Sequence, residues 1–299
     1  MISPKEFGIN DKELFDTYFG KTGSRSSDYS FTNLFMWRKS YNIKYDIIDG
    51  LLVIFAQHKK YYKNAMFPLG DAKDMKGTLN KIFDYLKKDC NNPIIRFSTD
   101  KAENILKREF HDTIEFRENR DAYDYVYLVE NLINLSGKKY HAKKNHINKF
   151  KNLYPDFKYE RITAENANEC IELFDLWNAK KQDGYDTDEE REAICGLFNN
   201  FDALGVAGGC IRVKGEMVAF SVGERLTDDT VLIHLEHADT NYEGAFSVIN
   251  QQFLENEWKS FKYVNREEDM GINGLRKAKL SYKPEFMIEK KLAVLLPKI

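Results

Sequence analysis

Residues 208–238 decide the fold, and they read GGCIRVKGEMVAFSVGERLTDDTVLIHLEHA. Two β-rich runs surround Lys214-Gly215, and this arrangement predicts a β-hairpin with a tight turn. The third run, 230–238, is rich in aliphatic residues and predicts a long strand. The segments that follow predict a helix, a strand, a short helix and a closing strand, at 245–258, 262–267, 273–280 and 284–291. The apolar face of the first of these helices is predicted to contain Phe246, Ile249, Phe253 and Leu254.

The same order of elements occurs earlier in the chain. NIKYDII and LLVIFAQ surround Asp49-Gly50 and predict another hairpin. The residues that follow predict a helix, a buried strand, a short helix and two closing strands, at 74–88, 93–98, 101–109, 113–117 and 123–129. The hairpin glycines Gly50 and Gly215 are 165 positions apart. The sequence therefore predicts duplication of one α/β unit, on pattern rather than on residue identity.

Three helices are predicted between the two repeats, at 140–153, 166–180 and 188–200, with Thr187 as the N-cap of the last. The first of them is rich in lysine. The formal net charge is only -2, which excludes a protein that binds nucleic acid over its whole surface but leaves room for a local basic patch.

Composition also limits the location of the chain. The N-terminal residues lack the apolar core of a signal peptide, and no apolar stretch approaches the length of a membrane-spanning helix. The four cysteines are widely scattered, which argues against a disulfide framework and a zinc site. We therefore expect a cytoplasmic protein without integral membrane association and without a bound metal.

Three stretches carry a family resemblance: LSGKKYHAKKNHINKF (135–150), HLEHADTNYEGAFSVINQQF (234–253) and NREEDMGINGLRKAKLSYKPEF (265–286). They resemble uncharacterised bacterial proteins related to the C-terminal domain of phosphatidylglycerol lysyltransferase. The order of elements is that of the N-acetyltransferase (GNAT) superfamily, and two such lobes in tandem are similar to the Fem-type aminoacyl-tRNA transferases.

This resemblance covers most of the chain and implies an α/β (α+β) fold. Two tandem GNAT-like lobes are expected, each with a mixed, mostly antiparallel sheet flanked by helices. We expect a non-catalytic lobe at 1–130. The second lobe, at 131–299, would hold the candidate active site and a basic helix near 138–153.

The resemblance also indicates where a donor would bind. In the superfamily, the turn after the long strand meets a helix N-terminus whose backbone N–H groups hold a pyrophosphate. The usual loop Arg/Gln-x-x-Gly-x-Gly/Ala corresponds here to Asn-Tyr-Glu-Gly-Ala-Phe at 241–246, in which only the central Gly244 fits. This departure disfavours acetyl-CoA and agrees better with the aminoacyl-tRNA branch. The expected donor-binding residues are Asn241, Gly244, Ala245, Arg266, Arg276 and Lys279.

Arg276 and Lys279 are three residues apart and can share one helical face that binds phosphate or carboxylate. Alternatively, Arg276 pairs with Glu267 or Asp269 and only holds the turn. No tightly bound cofactor is expected, and acyl-CoA or aminoacyl-tRNA would be a co-substrate.

Two residues are implied as catalytic. Glu236 lies on the long strand, where superfamily members often place a general base, and Tyr282 lies where a tyrosine can protonate the leaving group. The alternatives are a carboxylate paired with a nearby Arg or Lys and a tyrosine that only packs.

His234 and His237 are three apart on a strand, point to opposite faces and cannot easily share a metal ion, whereas His234 and Glu236 share a face and could form a local pair.

The lysine-rich helix is the expected contact for tRNA or another polyanion, through Lys138, Lys139, Lys143, Lys144 and Lys149. The alternative is a solvated surface helix. The sequence thus predicts an acyltransferase that moves an aminoacyl or other acyl group to an amine or hydroxyl acceptor, a soluble acceptor being favoured over a lipid. A non-catalytic binding protein on a degenerate fold and an acyl-CoA-dependent N-acyltransferase are the alternatives.

Overall fold

The computed structural model describes residues 1–59, 63–179 and 187–297, and its elements form two compact units. The first unit contains Met1–Tyr123 and Ile288–Ile299, and the second contains Asp124–Met287. In chain order the α-helices are α1 Lys12–Phe19, α2 Phe31–Trp37, α3 Met75–Leu86, α4 Asp100–Phe110, α5 Val129–Asn134, α6 His141–Leu153, α7 Ala167–Ala179, α8 Thr187–Phe198, α9 Phe201–Leu204, α10 Ala245–Phe253 and α11 Asn273–Ser281. The strands are β1 Lys44–Ile48, β2 Leu51–Ala56, β3 Asn64–Met66, β4 Ile94–Phe97, β5 Ile114–Glu118, β6 Asp124–Leu128, β7 Lys158–Arg161, β8 Ala207–Val213, β9 Glu216–Arg225, β10 Thr230–Ala238, β11 Tyr263–Asn265, β12 Phe286–Ile288 and β13 Lys291–Leu295.

The first unit is built on a six-stranded mixed sheet in the order β1-β2-β3-β4-β13-β5. Its hairpin turns at Asp49 and Gly50, whose φ angles of 53° and 81° are the positive values that a tight two-residue hairpin turn requires. β3 and β4 are parallel, whereas the other pairs are antiparallel. The predicted hairpin is therefore confirmed.

The second unit has a seven-stranded sheet in the order β12-β6-β11-β10-β9-β8-β7. Its hairpin turns at Lys214 and Gly215, with φ angles of 53° and 90°, so it has the same turn conformation as the first. β10 and β11 are parallel, as β3 and β4 are in the other sheet. The predicted fold class, mixed sheets with flanking helices, is confirmed.

Two strands are not in the sheets that chain order predicts. β6 lies in the second sheet, antiparallel to β11, and β13 lies in the first sheet between β4 and β5. The prediction that 123–129 closes the first repeat is therefore wrong. The single closing strand predicted at 284–291 is two strands, β12 and β13, and the second of them belongs to the unit that begins at Met1.

The helices lie close to their predicted positions. α6 matches the helix predicted at 140–153, while Lys180 and the side chain of Thr187 lie outside the described residues. One helix face differs: Phe246 is 37% exposed. The other three predicted residues, Ile249, Phe253 and Leu254, are buried, together with Ala245 and Val248. Only Phe246 of the predicted face points away from the contacts of α10 with β8, β9 and β10.

Candidate active site

A polar cluster lies inside the second unit, where β10 faces α10. Glu236 of β10 forms an ion pair with Arg266, the residue after β11, at 2.7 Å between Oε1 and Nη2. The other carboxylate oxygen, Oε2, accepts a hydrogen bond from Asn250 Nδ2 at 3.1 Å. Only 14% of the Glu236 side chain and 10% of the Arg266 side chain are exposed. Buried charges are tolerated when they are paired and hydrogen-bonded in this way.

Tyr282 adjoins this ion pair. It directly follows α11, is 6% exposed, and its hydroxyl donates to Ser247 Oγ at 3.3 Å. The Arg266 guanidinium lies 4.9 Å from the centre of the Tyr282 ring. Burial raises the pKa of the Tyr282 hydroxyl, so the phenol keeps its proton at neutral pH.

Lys143 of α6 lies at the same cluster. It was predicted to belong to the polyanion contact on the surface, together with the other lysines of this helix. Its Nζ is 4.0 Å from the centre of the Tyr282 ring, and its side chain is partly buried. Burial, and then the neighbouring Arg266, lower the pKa of Lys143. The other lysines of the predicted polyanion contact, Lys138, Lys139, Lys144 and Lys149, are exposed, and Lys149 pairs with Glu243 at 2.5 Å.

The turn that was expected to bind the donor is packed against α6. Gly244 is the N-cap of α10 with φ +93°, and a Cβ added there would lie 2.4 Å from the carbonyl oxygen of His146. The N–H groups of Asn241 and Ala245 are used within the turn, by Asp239 Oδ1 and by the Tyr242 carbonyl, both at 3.0 Å. Backbone donors that are satisfied in this way are not free to bind a pyrophosphate.

Arg276 and Lys279 hold the segment that contains Arg266. Arg276 donates to both carboxylate oxygens of Asp269 at 2.8 Å. Burial alone would raise the pKa of Asp269, but hydrogen bonds from Arg276 and Tyr125 outweigh it and lower that pKa well below its usual range.

Lys279 Nζ donates to three consecutive backbone carbonyls, of Arg266 at 2.5 Å, of Glu267 at 3.1 Å, and of Glu268. Burial lowers the pKa of Lys279 to about 8. Of the alternatives for Arg276, the structure therefore contains the pairing with Asp269. Lys279 acts on the backbone of the strand end and not on an exposed helix face.

The two histidines of β10 occupy separate environments, as strand alternation predicts. His234 is enclosed by two carboxylates, with Nδ1 3.1 Å from Glu267 and Nε2 3.2 Å from Glu224. Burial alone would lower the pKa of His234, but these two partners outweigh it and raise that pKa to about 9. His237 lies against the rings of Phe174, Trp177 and Phe220, so the two histidines share no site. His234 and Glu236 do not pair with each other.

Ser247 and Asn250 complete the cluster, although neither was predicted from the sequence. Both lie on α10, three residues apart, among the buried residues of that helix. Two polar side chains at this spacing on an apolar helix face are the signal that could have found them.

The comparisons with known proteins agree with this architecture. The family described as phosphatidylglycerol lysyltransferase, C-terminal, matches residues 20–294. A conserved protein of unknown function from Bacteroides thetaiotaomicron is 37% identical, with a TM-score of 0.88 over 99% of this chain and 100% of that chain. The L-PGS structure from Bacillus licheniformis is 16% identical, with a TM-score of 0.63 over 99% of this chain and 95% of that chain. FemX is 9% identical, with a TM-score of 0.59 over 99% of this chain and 98% of that chain.

An uncharacterised protein of Mycoplasmoides gallisepticum is 25% identical over 175 residues, which are 56% of this chain and 55% of that protein, so the match spans about half its length. Among residues 1–59, 63–179 and 187–297, no helix has the length and apolar character needed to cross a bilayer. The fold is GNAT-like, and L-PGS and FemX have it too. Because the family match extends over nearly the whole sequence, the chain belongs to the family of phosphatidylglycerol lysyltransferase C-terminal domains.

Proposed function

We propose that the unit Asp124–Met287 transfers an acyl group to an amine or hydroxyl acceptor at the cluster of Glu236, Arg266 and Tyr282. The observation that carries this proposal is the burial of a carboxylate, a guanidinium and a phenol together beside the long strand. Clusters of buried ionisable groups are typical of functional sites. Family membership supports acyl transfer as the reaction class.

In this proposal Glu236 accepts the proton of the acceptor while the acceptor nitrogen or oxygen attacks the carbonyl carbon of the donor. The bond between that carbon and the leaving oxygen or sulfur breaks, and Tyr282 donates its proton to the leaving atom. Burial raises the pKa of Tyr282, so the phenol is protonated before the reaction, as a general acid must be. Each oxygen of Glu236 has one hydrogen-bond partner, so each retains a lone pair for the incoming proton.

We propose aminoacyl-tRNA as the donor. The turn at Gly244 packs on α6, and the carboxylates of Asp239 and Glu243 lie in the same turn, which opposes an acyl-CoA pyrophosphate. Exposed Lys138, Lys139 and Lys144 would contact tRNA phosphates. In this proposal Asn241, Gly244 and Ala245 shape the donor side. Arg276 and Lys279 act indirectly, by holding Arg266. The acceptor would be a soluble molecule, and the protein cytoplasmic.

A non-catalytic binding protein is the second candidate. It is favoured by the engagement of both Glu236 oxygens and by the closed turn at Gly244. A fold can be retained while its chemistry is lost. This candidate predicts saturable ligand binding without any donor-dependent product.

The test is transfer of a labelled amino acid from charged tRNA to a panel of amine and hydroxyl acceptors, with acyl-CoA as a parallel donor. Glu236→Gln should lower kcat/KM about 100-fold, the lower end of the range for a lost general base. Tyr282→Phe should lower it by a similar factor, about 100-fold, at the same expression and stability. Glu255→Gln removes an exposed carboxylate and is the matched control that should be unchanged.

Full activity of Glu236→Gln on an identified acceptor would show that this site assignment is wrong. Product formation from acyl-CoA but from no charged tRNA would replace the donor. If neither donor gives a product, the binding-protein candidate takes the place of the enzyme.

A further inference from the structure

Positive charge exceeds negative charge around the Tyr282 ring. Lys143 and Arg266 both lie against this ring, with Nζ at 4.0 Å and the guanidinium carbon at 4.9 Å from its centre. The neighbouring carboxylate, Glu236, already pairs with Arg266. Within the part of the chain that the structure describes, Lys143 Nζ forms no hydrogen bond and no ion pair. One partly buried cation is therefore uncompensated.

A second, independent observation concerns Arg266. Its side chain is only 10% exposed, yet within the described ranges its Nη1 atom is buried and has no hydrogen-bond partner. A buried donor without a partner is unfavourable, because it has lost its hydrogen bonds to water. Such a donor beside a half-buried lysine marks a place where an acceptor with negative charge would be stabilised.

We propose that Lys143 and Arg266 form a binding site for an anionic group, a carboxylate or a phosphate, next to the Tyr282 ring. The anion would accept hydrogen bonds from Lys143 Nζ and Arg266 Nη1. The positive charges of Lys143 and Arg266 would then be balanced by the Glu236 carboxylate and one negative charge on the ligand. α6 thereby contributes a specificity-determining residue to a cluster that is otherwise built from β10, α10 and the ends of β11 and α11.

The anion belongs to the acceptor, an assignment that rests on the proposed transfer reaction. The α-carboxyl group of an aminoacyl donor is esterified, and its α-ammonium group would be repelled by Lys143 and Arg266. The tRNA phosphates have the exposed lysines of the same helix available to them. The acceptor is therefore an amine or alcohol that also carries a carboxylate or phosphate.

The experiment measures anion binding without a donor, by calorimetry and by thermal unfolding, with inorganic phosphate, acetate and chloride at equal ionic strength. Lys143→Met keeps the aliphatic stem on the ring but removes the charge, and Lys143→Arg keeps the charge. Lys151→Met is the exposed control on the same helix. Wild type and Lys151→Met should bind phosphate or acetate more tightly than chloride. Lys143→Met should raise Kd about tenfold, as expected for the loss of one charge-assisted hydrogen bond, and Lys143→Arg should restore binding.

Comparison of the phosphate and acetate arms identifies the anion. Equal losses in Lys143→Met and Lys151→Met, or no preference over chloride in the wild type, would overturn the anion site. If Lys143→Met unfolds early, Lys143→Gln takes its place, because glutamine also removes the charge but keeps a polar side chain at this partly buried position. Lys143-dependent binding without any product would support the site and count against the proposed transfer reaction. Unchanged KM and kcat in Lys143→Met would overturn the site but leave the reaction intact.

Discussion

His234 in the second unit is held from both sides, because each of its two ring nitrogens contacts a different carboxylate. Glu224 comes from β9 and Glu267 from the end of β11, and only 1% of the His234 side chain is exposed. Glu267 has a left-handed backbone with φ +54°, which is unfavourable for a residue with a side chain. His234 and the Lys279 contacts to the carbonyls hold it there. The orientation of Arg266, the residue before Glu267, depends on the same contacts.

The free energy of unfolding should therefore depend on the protonation of His234. The pKa is raised from 6.5 to about 9 in the folded state, so the stabilisation is fully present below pH 6.5. It should be lost as the pH rises from 6.5 through 9, by at most about 3 kcal/mol. Urea unfolding of wild type and of His234→Gln across this window measures the contribution of His234. Lys279, whose pKa is lowered, gives a pH dependence of the opposite sign, and this cancels when the two proteins are subtracted. His141→Gln, at an exposed position, is the control. Equal pH dependence in wild type and His234→Gln would contradict this assignment.

At the scale of elements, the packing of α6 on the N-terminus of α10 shapes the site. It closes the turn at Gly244 and at the same time brings Lys143 to the Tyr282 ring. The sequence contained the signal for this orientation. Lys143 is three residues after Tyr140 and four before Ile147, both buried, so helical spacing places it on the packed face. The prediction that Lys143 lies on the surface with the other lysines relied on composition and not on its position on the helix.

Replacing Gly244 by Ala should separate these two helices. The new Cβ would lie 2.4 Å from a backbone oxygen and 3.1 Å from Phe150 Cβ, at φ +93°, where a side chain is strained. We expect a loss of about 2–4 kcal/mol in the free energy of unfolding, measured with urea. Gly196→Ala is the matched control, because Gly196 lies inside α8 with nothing within 4 Å of an added Cβ. That change should be neutral or stabilising by up to about 1 kcal/mol. A neutral Gly244→Ala would mean that α6 does not pack on this turn in solution.

For the molecule as a whole, the repeated order of elements predicted the architecture, because hairpins and helices are local and their periodicities are visible in the sequence. The two positive-φ turns at Asp49-Gly50 and Lys214-Gly215 are local in the same sense. The sheet in which β6 and β13 pair depends on contacts between distant residues, and Val126 pairs with Asn265. The partners of Glu236 depend on them too, since Arg266 follows the strand that β6 borders. For this reason the candidate residues could be named from the sequence but not joined into one cluster.

Because β6 lies in the second sheet and β13 in the first, the two sheets make a prediction about which fragments of the chain can fold. Residues 124–289 retain every strand of the seven-stranded sheet, whereas 131–299 lack β6, which lies between β11 and β12. Tyr125, Val126 and Tyr127 of β6 are fully buried, and each buried side chain of this size contributes about 2 kcal/mol. Their combined loss, about 6 kcal/mol, is comparable with the whole stability of a typical domain.

The fragment 124–289 should therefore unfold cooperatively in urea and give a dispersed amide NMR spectrum, whereas 131–299 should do neither. The two fragments differ by only a few residues in length, so size does not explain such a difference. Cooperative unfolding of 131–299 would show that β6 is dispensable and that the unit folds within the boundaries expected from chain order. Restoring residues 124–130 to the N-terminus of 131–299 should recover folding, with β13 as an unpaired tail, which separates the need for β6 from any harm done by β13.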